Sequence, residues 1–339
     1  MTVGAVEDAA KWAPDAGAEM KAAHDAGFRA IVLSALWEPG APANAALPPL
    51  RRAVDAATEN EIEPVLAVYQ LSSATPLEPS ARTAFAEFAA SLARRLPDVR
   101  TVIVGNEPNL NLFWMPQFAA DGSDAAASAY EPLLAETYDA LKDVDPDLTV
   151  VGGALAPRGA DDPDATRQTH SPTQFIADLG RAYRASGRKQ PLMDAFALHP
   201  YGESPRVPPT LRHPRSSSLG IADYPKLVRL LGQAFDRTAQ PGSKLPVLYT
   251  EYGVETTVPT AQKPAYTGHE VVEPVDASIQ ARYYTQAIRL ARRQPTVAGI
   301  YLFHVDDETR LEGLQSGVRY ADRTPKPSLG AVRRASLRP

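Results

Sequence analysis

Two glutamates stand where carboxylates are poorly placed for stability and well placed for chemistry. Glu107 follows the run Thr101-Val-Ile-Val-Gly-Asn, and Glu251 follows Leu245-Pro-Val-Leu-Tyr-Thr. Each run has the apolar, β-branched character of a buried strand, and a helix-breaking residue comes within two positions of each glutamate. Such side chains point from a rigid support toward a pocket. Two carboxyl groups about 5–5.5 Å apart form the arrangement that hydrolyses a glycosidic bond with retention of configuration.

The elements that must position these glutamates are visible as apolar segments. Eight segments have the short, continuous apolar character of parallel strands covered on both faces. They are Thr2–Val6, Ala30–Leu33, Pro64–Tyr69, Val99–Gly105, Thr149–Leu155, Asp194–Leu198, Val247–Thr250 and Gly299–Phe303. Amphipathic helical stretches lie between them. Eight strands that alternate with helices predict an α/β fold, a single (β/α)8 TIM barrel in which residues 1–339 form one catalytic domain.

A doubly wound sheet is the alternative α/β fold. It usually has a glycine-rich phosphate-binding turn after its first strand, and Gly4-Ala-Val-Glu-Asp8 is no such turn. In a barrel, strands four and seven lie on opposite sides, so Glu107 and Glu251 would face each other across one end. The long connections after strands five, six and seven leave at that end and are expected to form the rim of a pocket. They are Ala156–His170, Gly202–Ala222 and Val254–Val275.

The composition excludes several classes of function. The net charge of −5 argues against a nucleic-acid partner, which requires clustered positive charge. No apolar run is long enough to span a bilayer, so no membrane partner is expected. The absence of cysteine excludes disulfides and thiolate metal sites. The six histidines lack metal-binding spacing, and neither a metal nor a cofactor is expected.

No signal peptide is visible, because Met1 leads straight into the strand-like Val3-Gly-Ala-Val6. A first strand with no leader favours a secreted protein whose export signal is missing from this sequence over a cytoplasmic protein. The sequence makes no prediction about oligomeric state.

The segments around the two glutamates resemble a known group of enzymes. Gly105-Asn-Glu-Pro-Asn-Leu-Asn-Leu-Phe-Trp114 resembles the Asn-Glu-Pro signature of clan A retaining glycoside hydrolases. Its second half is similar to family 39, the β-xylosidase and α-L-iduronidase family, and a family 5-like membership is also compatible. Thr250-Glu-Tyr-Gly253 resembles the nucleophile segment of the clan, and His199-Pro-Tyr201 resembles its His-x-Tyr sequence after strand six.

This resemblance implies a role for each matched residue. Glu107 would be the general acid/base and Glu251 the nucleophile. Asn106 would hydrogen-bond the sugar 2-hydroxyl and the nucleophile. Tyr201 would donate to Glu251, and His199 would lie near the acid/base or a sugar hydroxyl; a rim tyrosine and a core histidine are the alternatives. The implied partner is a carbohydrate, a β-D-glycoside or an α-L-arabinosyl-like one, and the loop lengths favour a pocket for a chain end.

The sequence departs from the clan pattern at three places. The arginine that many members have near the end of strand two is missing, since the segment is apolar up to Ser34. The tryptophan common at the end of strand eight is replaced by Phe303-His304, and one of these two residues is expected to form that wall. The asparagine that often follows the nucleophile in family 39 is absent.

Aromatic residues at strand ends are candidates for sugar binding, because the C–H face of a pyranose packs on a ring. Trp37 ends strand two, Tyr69 ends strand three, and Trp114 follows the acid/base loop. Anchoring of a loop is the alternative for both tryptophans. The loop after strand six is locally basic, and a solvated rim is favoured over recognition of a sugar carboxylate. Its basic residues are Arg206, Arg212, His213 and Arg215.

Two other functions fit the same elements. A non-catalytic glycan-binding barrel would keep the fold without turnover. The presence of both glutamates, Asn106 and Tyr201 favours an enzyme, because a protein that only binds a glycan has little use for an attacking carboxylate. A metal-dependent barrel hydrolase would lose activity with chelators, and the histidine spacing argues against it.

Overall fold

The computed structural model describes residues 1–337 and contains the predicted barrel. Eight parallel strands form a closed sheet in sequence order, with the last strand hydrogen-bonded to the first. The strands are β1 (Thr2–Val6), β2 (Ala30–Leu36), β3 (Glu63–Tyr69), β4 (Thr101–Val104), β5 (Thr149–Leu155), β6 (Ala195–Leu198), β7 (Val247–Tyr252) and β8 (Val297–Phe303). The (β/α)8 prediction is therefore confirmed.

The helices surround this sheet. They are α1 (Ala9–Trp12), α2 (Ala16–Ala26), α3 (Ala43–Glu59), α4 (Pro79–Arg95), α5 (Ala125–Val144), α6 (Pro172–Ser186), α7 (Tyr224–Phe235), α8 (Ala277–Arg292) and α9 (Pro327–Ser336). Their starts follow local chemistry: the Asp15 side chain accepts from the Ala18 N–H at 2.9 Å, and Ser171 caps α6 in the same way through Gln174. Within residues 1–337, no helix combines the length and the apolar character needed to cross a membrane.

Two strands extend past their predicted C-terminal ends. β2 continues beyond Leu33 and pairs with β3 as far as Leu36 opposite Tyr69. β7 continues beyond Thr250, so Glu251 lies within the strand and not after it. The ladder between β7 and β8 changes register between Tyr249 and Tyr252. A register irregularity of this kind re-aims a side chain, which explains how a strand residue can face the open end of the barrel.

The interior of the barrel is closed by packed side chains. They are mostly small or β-branched: Ala30, Val32, Val65, Ala67, Ile103, Val151, Ala154, Ala195, Ala197, Leu248 and Tyr301. The largest of them is Tyr301, whose ring occupies the space beside Gly4; a Cβ at that glycine would lie 2.4 Å from the ring. The filled interior gives a solid floor to any site at the C-terminal ends of the strands.

Backbone strain collects at this same end of the barrel. Glu107 has φ +40° beyond β4, Ala154 has φ +48° in β5, and His304 has φ +75° beyond β8. Left-handed backbone costs a non-glycine residue about 1–3 kcal/mol, and such residues cluster at functional sites. The Glu107 N–H donates to the Ala154 carbonyl oxygen at 2.9 Å, which ties the two strained positions together. The outliers direct attention to the cavity that these strand ends enclose.

Candidate active site

A cavity of about 710 Å³ opens at the C-terminal ends of the strands. Its volume suits a small ligand enclosed on several sides. All three long connections predicted to form the rim line it, represented by Arg158 after β5, Pro205 after β6 and Val272 after β7. Glu107 and Glu251 lie on its wall.

The structure brings the two predicted catalytic glutamates together. One oxygen of Glu107, one oxygen of Glu251 and one ring nitrogen of His199 all lie within 4.8 Å of one another. The two carboxylate side chains are 15% and 18% exposed. Both are thus largely withdrawn from water and still accessible from the cavity, which is the condition for carboxyl groups that react with a ligand.

His199 contacts both glutamates. Its Nδ1 lies 3.0 Å from Oε1 of Glu107 and 3.5 Å from Oε2 of Glu251, and the residue is 1% exposed. Burial lowers the pKa of His199, but the negative charges of Glu251 and Glu107 and the hydrogen bond to Glu107 outweigh it, so the pKa is raised. The two carboxylates therefore favour the protonated form of the ring.

Tyr201 orients the other carboxylate. Its hydroxyl donates to Oε2 of Glu251 at 3.0 Å, as the sequence predicts. Burial has the largest effect on the pKa of Glu251 and raises it. The charge of His199 and the bond from Tyr201 lower this pKa, and the charge of Glu107 raises it. The net result is a raised pKa. Burial, aided by the charge of Glu251, raises the pKa of Tyr201 well above its usual value. The hydroxyl consequently stays protonated as a donor.

Asn106 also lines the cavity, next to Glu107. Its expected hydrogen bond to Glu251 is not formed, and within residues 1–337 its side chain makes no hydrogen bond to protein. The amide is thus available to a ligand in the cavity. The sequence prediction holds for its position and not for its bond to the nucleophile.

Tyr69, Phe303 and His304 lie on the cavity wall, as predicted. The Phe303 ring packs edge-to-face against Tyr201 with 6.3 Å between centroids, and Tyr69 packs in the same manner against Phe113 at 6.1 Å. Phe113 lines the cavity too and was not among the predicted residues. These rings provide apolar surface beside the carboxylates.

The sugar-binding prediction for Trp37 and Trp114 is corrected by the structure. Trp37 is 2% exposed and packs against Phe85 of α4, with 5.7 Å between ring centroids. Trp114 is fully buried and packs against Tyr130 of α5 at the same centroid separation. Neither lines the cavity. Both anchor their loops, because burial of so large an apolar ring stabilises the fold more than its exposure would.

The basic loop after β6 does not supply a carboxylate-binding group to the cavity. Arg206 pairs with Glu273 at the surface, and Nδ1 of His213 lies 2.7 Å from Asp223. Arg212 and Arg215 are exposed. None of the four residues lines the cavity, which agrees with the favoured interpretation of a solvated rim.

Sequence reasoning missed the polar residues after β1. Glu7 lines the cavity, and its oxygens accept from the N–H groups of Ala9 at 3.0 Å and Val305 at 3.2 Å. Asp8 also lines it and lies 2.9 Å from Nζ of Lys11. The sequence did contain a signal for them. Glu107 was selected because it follows a buried strand, and Glu7 and Asp8 also directly follow one.

A second histidine joins Glu7 to the neighbouring connection after β8. Nδ1 of His304 lies 3.7 Å from Oε2 of Glu7, and its Nε2 lies 3.1 Å from Oε1 of Glu308. Burial lowers the pKa of His304, but its hydrogen bonds and charge interactions with Glu308 and Glu7 outweigh this and raise the pKa to about 10. His304, one of the two residues expected to take the place of the tryptophan at the end of strand eight, is thus a cation held between two carboxylates.

The residues Glu107, His199 and Glu251 could also hold a metal ion by their spacing. In the part of the chain from residue 1 to 337, they form the one group of three such donors close enough to do so. Nδ1 of His199 already contacts both carboxylates, so a cation would have to displace these contacts. Two carboxylates and one imidazole form a donor set that zinc accepts.

No protein-family model and no curated protein matches the sequence. Solved structures do match the fold. A calcium-binding mutant of β-glucuronidase 2 from Bacteroides uniformis has 12% identity and a TM-score of 0.62, with 99% of this chain and 34% of that one covered. A GH2 β-galacturonidase from Eisenbergiella tayi, bound to galacturonate, has 13% identity and a TM-score of 0.53, with 95% and 47% covered.

A GH5_18 protein from Streptomyces cattleya, in complex with Manβ1-4GlcNAc, has 17% identity and a TM-score of 0.63, with 99% of this chain and 80% of that one covered. The present chain therefore spans less than half the length of the first two proteins and most of the third. At these identities the similarity shows the fold: the chain shares the parallel eight-stranded barrel of these glycoside hydrolases.

Proposed function

We propose that this chain is a retaining glycoside hydrolase of the clan A type, with residues 1–339 as its catalytic domain. The proposal rests on one observation. One oxygen of Glu107 and one oxygen of Glu251 lie within 4.8 Å of each other, in a cavity of about 710 Å³. Retaining enzymes hold their carboxyl groups about 5–5.5 Å apart, whereas inverting enzymes need about 6.5–9.5 Å to admit a water molecule.

The mechanism is a double displacement without a cofactor. Glu107 donates its proton to the glycosidic oxygen while the Glu251 carboxylate attacks the anomeric carbon, which forms a glycosyl ester and releases the alcohol. Glu107, now ionised, takes a proton from water, and that water attacks the anomeric carbon. The sugar leaves with its original configuration, Glu251 returns as a carboxylate and Glu107 is again protonated.

The assignment of the two roles is supported by their different neighbours. The hydroxyl of Tyr201 donates to Glu251, and a donor of this kind favours the ionised form that a nucleophile needs. His199 contacts Oε1 of Glu107 and can hold that carboxyl group in one orientation while it exchanges protons. Asn106 has an unengaged amide next to Glu107, suited to a sugar hydroxyl.

The substrate is a carbohydrate with a β-D- or α-L-arabinosyl-like glycosidic bond. Tyr69, Phe113 and Phe303 supply apolar surface for the C–H face of a sugar ring. Two of the similar structures hold Manβ1-4GlcNAc and galacturonate, which supports a sugar ligand here. The long loops around the cavity favour action on a chain end or small glycoside. Membership of family 39 stays a prediction, since the similar structures named above belong to GH2 and GH5.

A mechanism-based 2-fluoro-glycoside label tests this function, after a screen of nitrophenyl glycosides has identified an accepted sugar. Mass spectrometry of the digested protein should find the glycosyl adduct on Glu251, and NMR should show that the first product keeps the anomeric configuration of the substrate. Sugar binding without label or product would instead indicate the non-catalytic glycan-binding barrel. An inverted first product would exclude the double displacement.

The metal-dependent alternative has a direct test. Dialysis against a chelator should leave turnover unchanged if the carboxylates act as acid and nucleophile. Loss of turnover that added zinc restores would assign Glu107, His199 and Glu251 as ligands instead.

A further inference from the structure

One cation on the wall of the cavity has no ion pair. Arg158, on the connection after β5, lines the cavity with a half-buried side chain. Within residues 1–337 its guanidinium forms no salt bridge, and the one protein group it bonds is a neutral carbonyl oxygen. The other cation of the wall, His304, is held between Glu7 and Glu308. The positive charge that a ligand in the cavity can use is therefore that of Arg158.

Most of the donors of this guanidinium are unused. Of its five N–H groups, one on Nη1 donates to the carbonyl oxygen of Tyr201 at 3.1 Å, which holds the side chain against the connection after β6. Within residues 1–337, Nε and Nη2 donate to no protein acceptor, and neither nitrogen is fully buried. These two nitrogens form one edge of the guanidinium. Such an edge matches the two oxygens of a planar carboxylate.

The protein compensates the charge of Arg158 only in part. Burial lowers the pKa of Arg158, and the charges of Glu203 and Glu107 offset part of that effect without reversing it. Glu203 is exposed to solvent at the rim. Glu107 is the proton donor of the proposed mechanism and is therefore neutral when the substrate binds. A partly desolvated cation without a close partner is stabilised by an anion that a ligand brings.

Arg158 lies on the Glu107 side of the catalytic pair. β5 pairs with β4, and the Glu107 N–H donates to the Ala154 carbonyl oxygen of β5. Glu251 is on β7, two strands away from β5 around the sheet. Because Glu107 protonates the oxygen of the leaving unit in the proposed mechanism, a group on this side faces that unit. A cation here also stands away from the anomeric carbon, whose oxocarbenium-like transition state it would destabilise.

We propose that Arg158 binds a carboxylate on the leaving unit, so that the favoured substrate has a uronic acid directly after the bond that is cleaved. The inference rests on the proposed function, because it concerns the leaving-group side of the same site. One guanidinium balances one carboxylate. A neutral hydroxyl on the same unit would gain less from the same N–H groups, since hydrogen bonds between charged partners are roughly twice as strong as neutral ones. The charge of the leaving unit is therefore the property to vary.

Two matched aryl glycosides of the sugar accepted in the nitrophenyl screen test the proposal. One has a meta-carboxyphenyl leaving group, and the other has a meta-carbamoylphenyl group of nearly the same shape without the charge. The wild-type protein should have the higher kcat/KM for the carboxylate. Arg158→Gln should reduce the carboxylate-to-amide ratio by about tenfold, as expected when a charge-assisted hydrogen bond is replaced by a neutral one. The intrinsic difference between the two phenols is the same for both proteins and cancels.

Two further variants separate charge recognition from a structural role. Arg158→Lys keeps the charge and should retain part of the ratio. Arg212→Gln removes an exposed arginine of the rim that does not line the cavity, and it should leave the ratio unchanged. Loss of the bond to Tyr201 would lower both kcat/KM values alike and would not change their ratio. Thermal melts confirm that each variant is folded. An unchanged ratio in folded Arg158→Gln would overturn the proposal.

A second pair of substrates tests which unit carries the carboxylate. If Arg158 binds the sugar under attack instead, nitrophenyl β-D-glucuronide should be hydrolysed in preference to the glucoside, and Arg158→Gln should remove that preference. This result would contradict the assignment to the leaving unit. A glucuronide-to-glucoside ratio that is the same in wild type and Arg158→Gln supports it.

Binding measurements keep the role of Arg158 testable if no aryl glycoside is hydrolysed, an outcome that counts against the proposed function alone. Saturation-transfer NMR should then show that the wild-type protein binds glucuronate more tightly than the neutral glucuronamide. Arg158→Gln should remove this difference, and Arg212→Gln should keep it. Equal binding of the two sugars to the wild-type protein would contradict recognition of a carboxylate.

Discussion

One cavity contains two clusters in which a histidine lies between two glutamates, and they are built differently. In the first cluster, Glu107, His199 and Glu251, the single Nδ1 of the histidine faces both carboxylates at 3.0 and 3.5 Å. In the second cluster, Glu7, His304 and Glu308, the histidine uses Nδ1 for one carboxylate and Nε2 for the other. Both ring nitrogens of the second histidine are thus committed to fixed partners.

The backbone completes the second cluster and not the first. Glu7 accepts two backbone N–H groups, and Glu308 accepts the Leu314 N–H at 3.1 Å. Burial raises the pKa of Glu7, but the hydrogen bond and charge of His304 and the backbone N–H groups outweigh it, so the pKa is lowered. The pKa of Glu308 is also lowered, chiefly by its hydrogen bond to His304.

In residues 1–337, neither carboxylate of the first cluster accepts a backbone N–H, and burial raises the pKa of Glu251. The difference shows how one set of residue types gives two outcomes. A fully bonded cluster stays a fixed ion pair, whereas a partly bonded one can exchange protons and contact a ligand.

The sharpest contrast comes from removing one glutamate of each cluster. Glu251→Ala should lower turnover on the order of 10⁴-fold or more, since it removes the nucleophile, and azide should restore part of it as an inverted glycosyl azide. Glu308→Ala should lower turnover by less than about tenfold, because its partner His304 keeps Glu7. Steady-state kinetics on one aryl glycoside give both values. Equal losses would remove the distinction between the clusters.

Tyr201→Phe should have the next largest effect. It removes the hydroxyl that donates to Glu251 and leaves the ring in place against Phe303. A hydrogen bond to a charged group contributes about 1.5–3 kcal/mol, so kcat/KM should fall roughly 10- to 100-fold. Kinetics with the melting temperature as a folding control measure this. An unchanged kcat/KM would show that Glu251 does not depend on Tyr201.

His199→Asn should displace the pH profile. The charge of His199 lowers the pKa of Glu251, so its removal raises that pKa, and the nucleophile becomes ionised only at higher pH. The acidic limb of kcat/KM should therefore move upward in pH. His304→Asn should move it less, because the influence of His304 on Glu251 is weaker. A larger displacement in the His304 variant would reverse the assignment of the two clusters.

Glu7→Gln should affect turnover least, by less than about tenfold, because Glu7 supports His304 and does not contact the first cluster. Its main effect should be on His304, whose pKa of about 10 depends partly on Glu7. An NMR titration should find His304 fully protonated at pH 8 in the wild type and show a lower pKa in the variant. An unchanged titration would assign the stabilisation of the cation to Glu308 alone.

Much of the fold was predictable because it depends on local pattern. Continuous apolar runs located all eight strands, and the amphipathic stretches between them form helices. The extension of β7 through Glu251 was not predictable, since it results from a register change against β8. Such changes depend on the neighbouring strand, which is distant along the chain.

The candidate site was predictable in part for the same reason. Glu107, Glu251, His199 and Tyr201 were found from strand ends and short motifs, and they converge. Trp114 was a candidate for sugar binding, but its ring is buried against Tyr130, and the adjacent Phe113 lines the cavity. The sequence does not show which of two adjacent residues in a turn is buried, because that depends on packing against Tyr130.

The amino-acid sequence by itself determined the alternation of strands and helices, and with it the end of the barrel where strand-end carboxylates meet. Only the tertiary structure decided which carboxylates are bonded and which are exposed to a ligand. Burial raises the pKa of Glu7, but His304 and backbone N–H groups, including that of Val305 298 positions away, lower it. Glu251 accepts from the hydroxyl of Tyr201, 50 positions away. Hydrogen bonding and desolvation depend on neighbours in space, and those neighbours exist only after the barrel has closed.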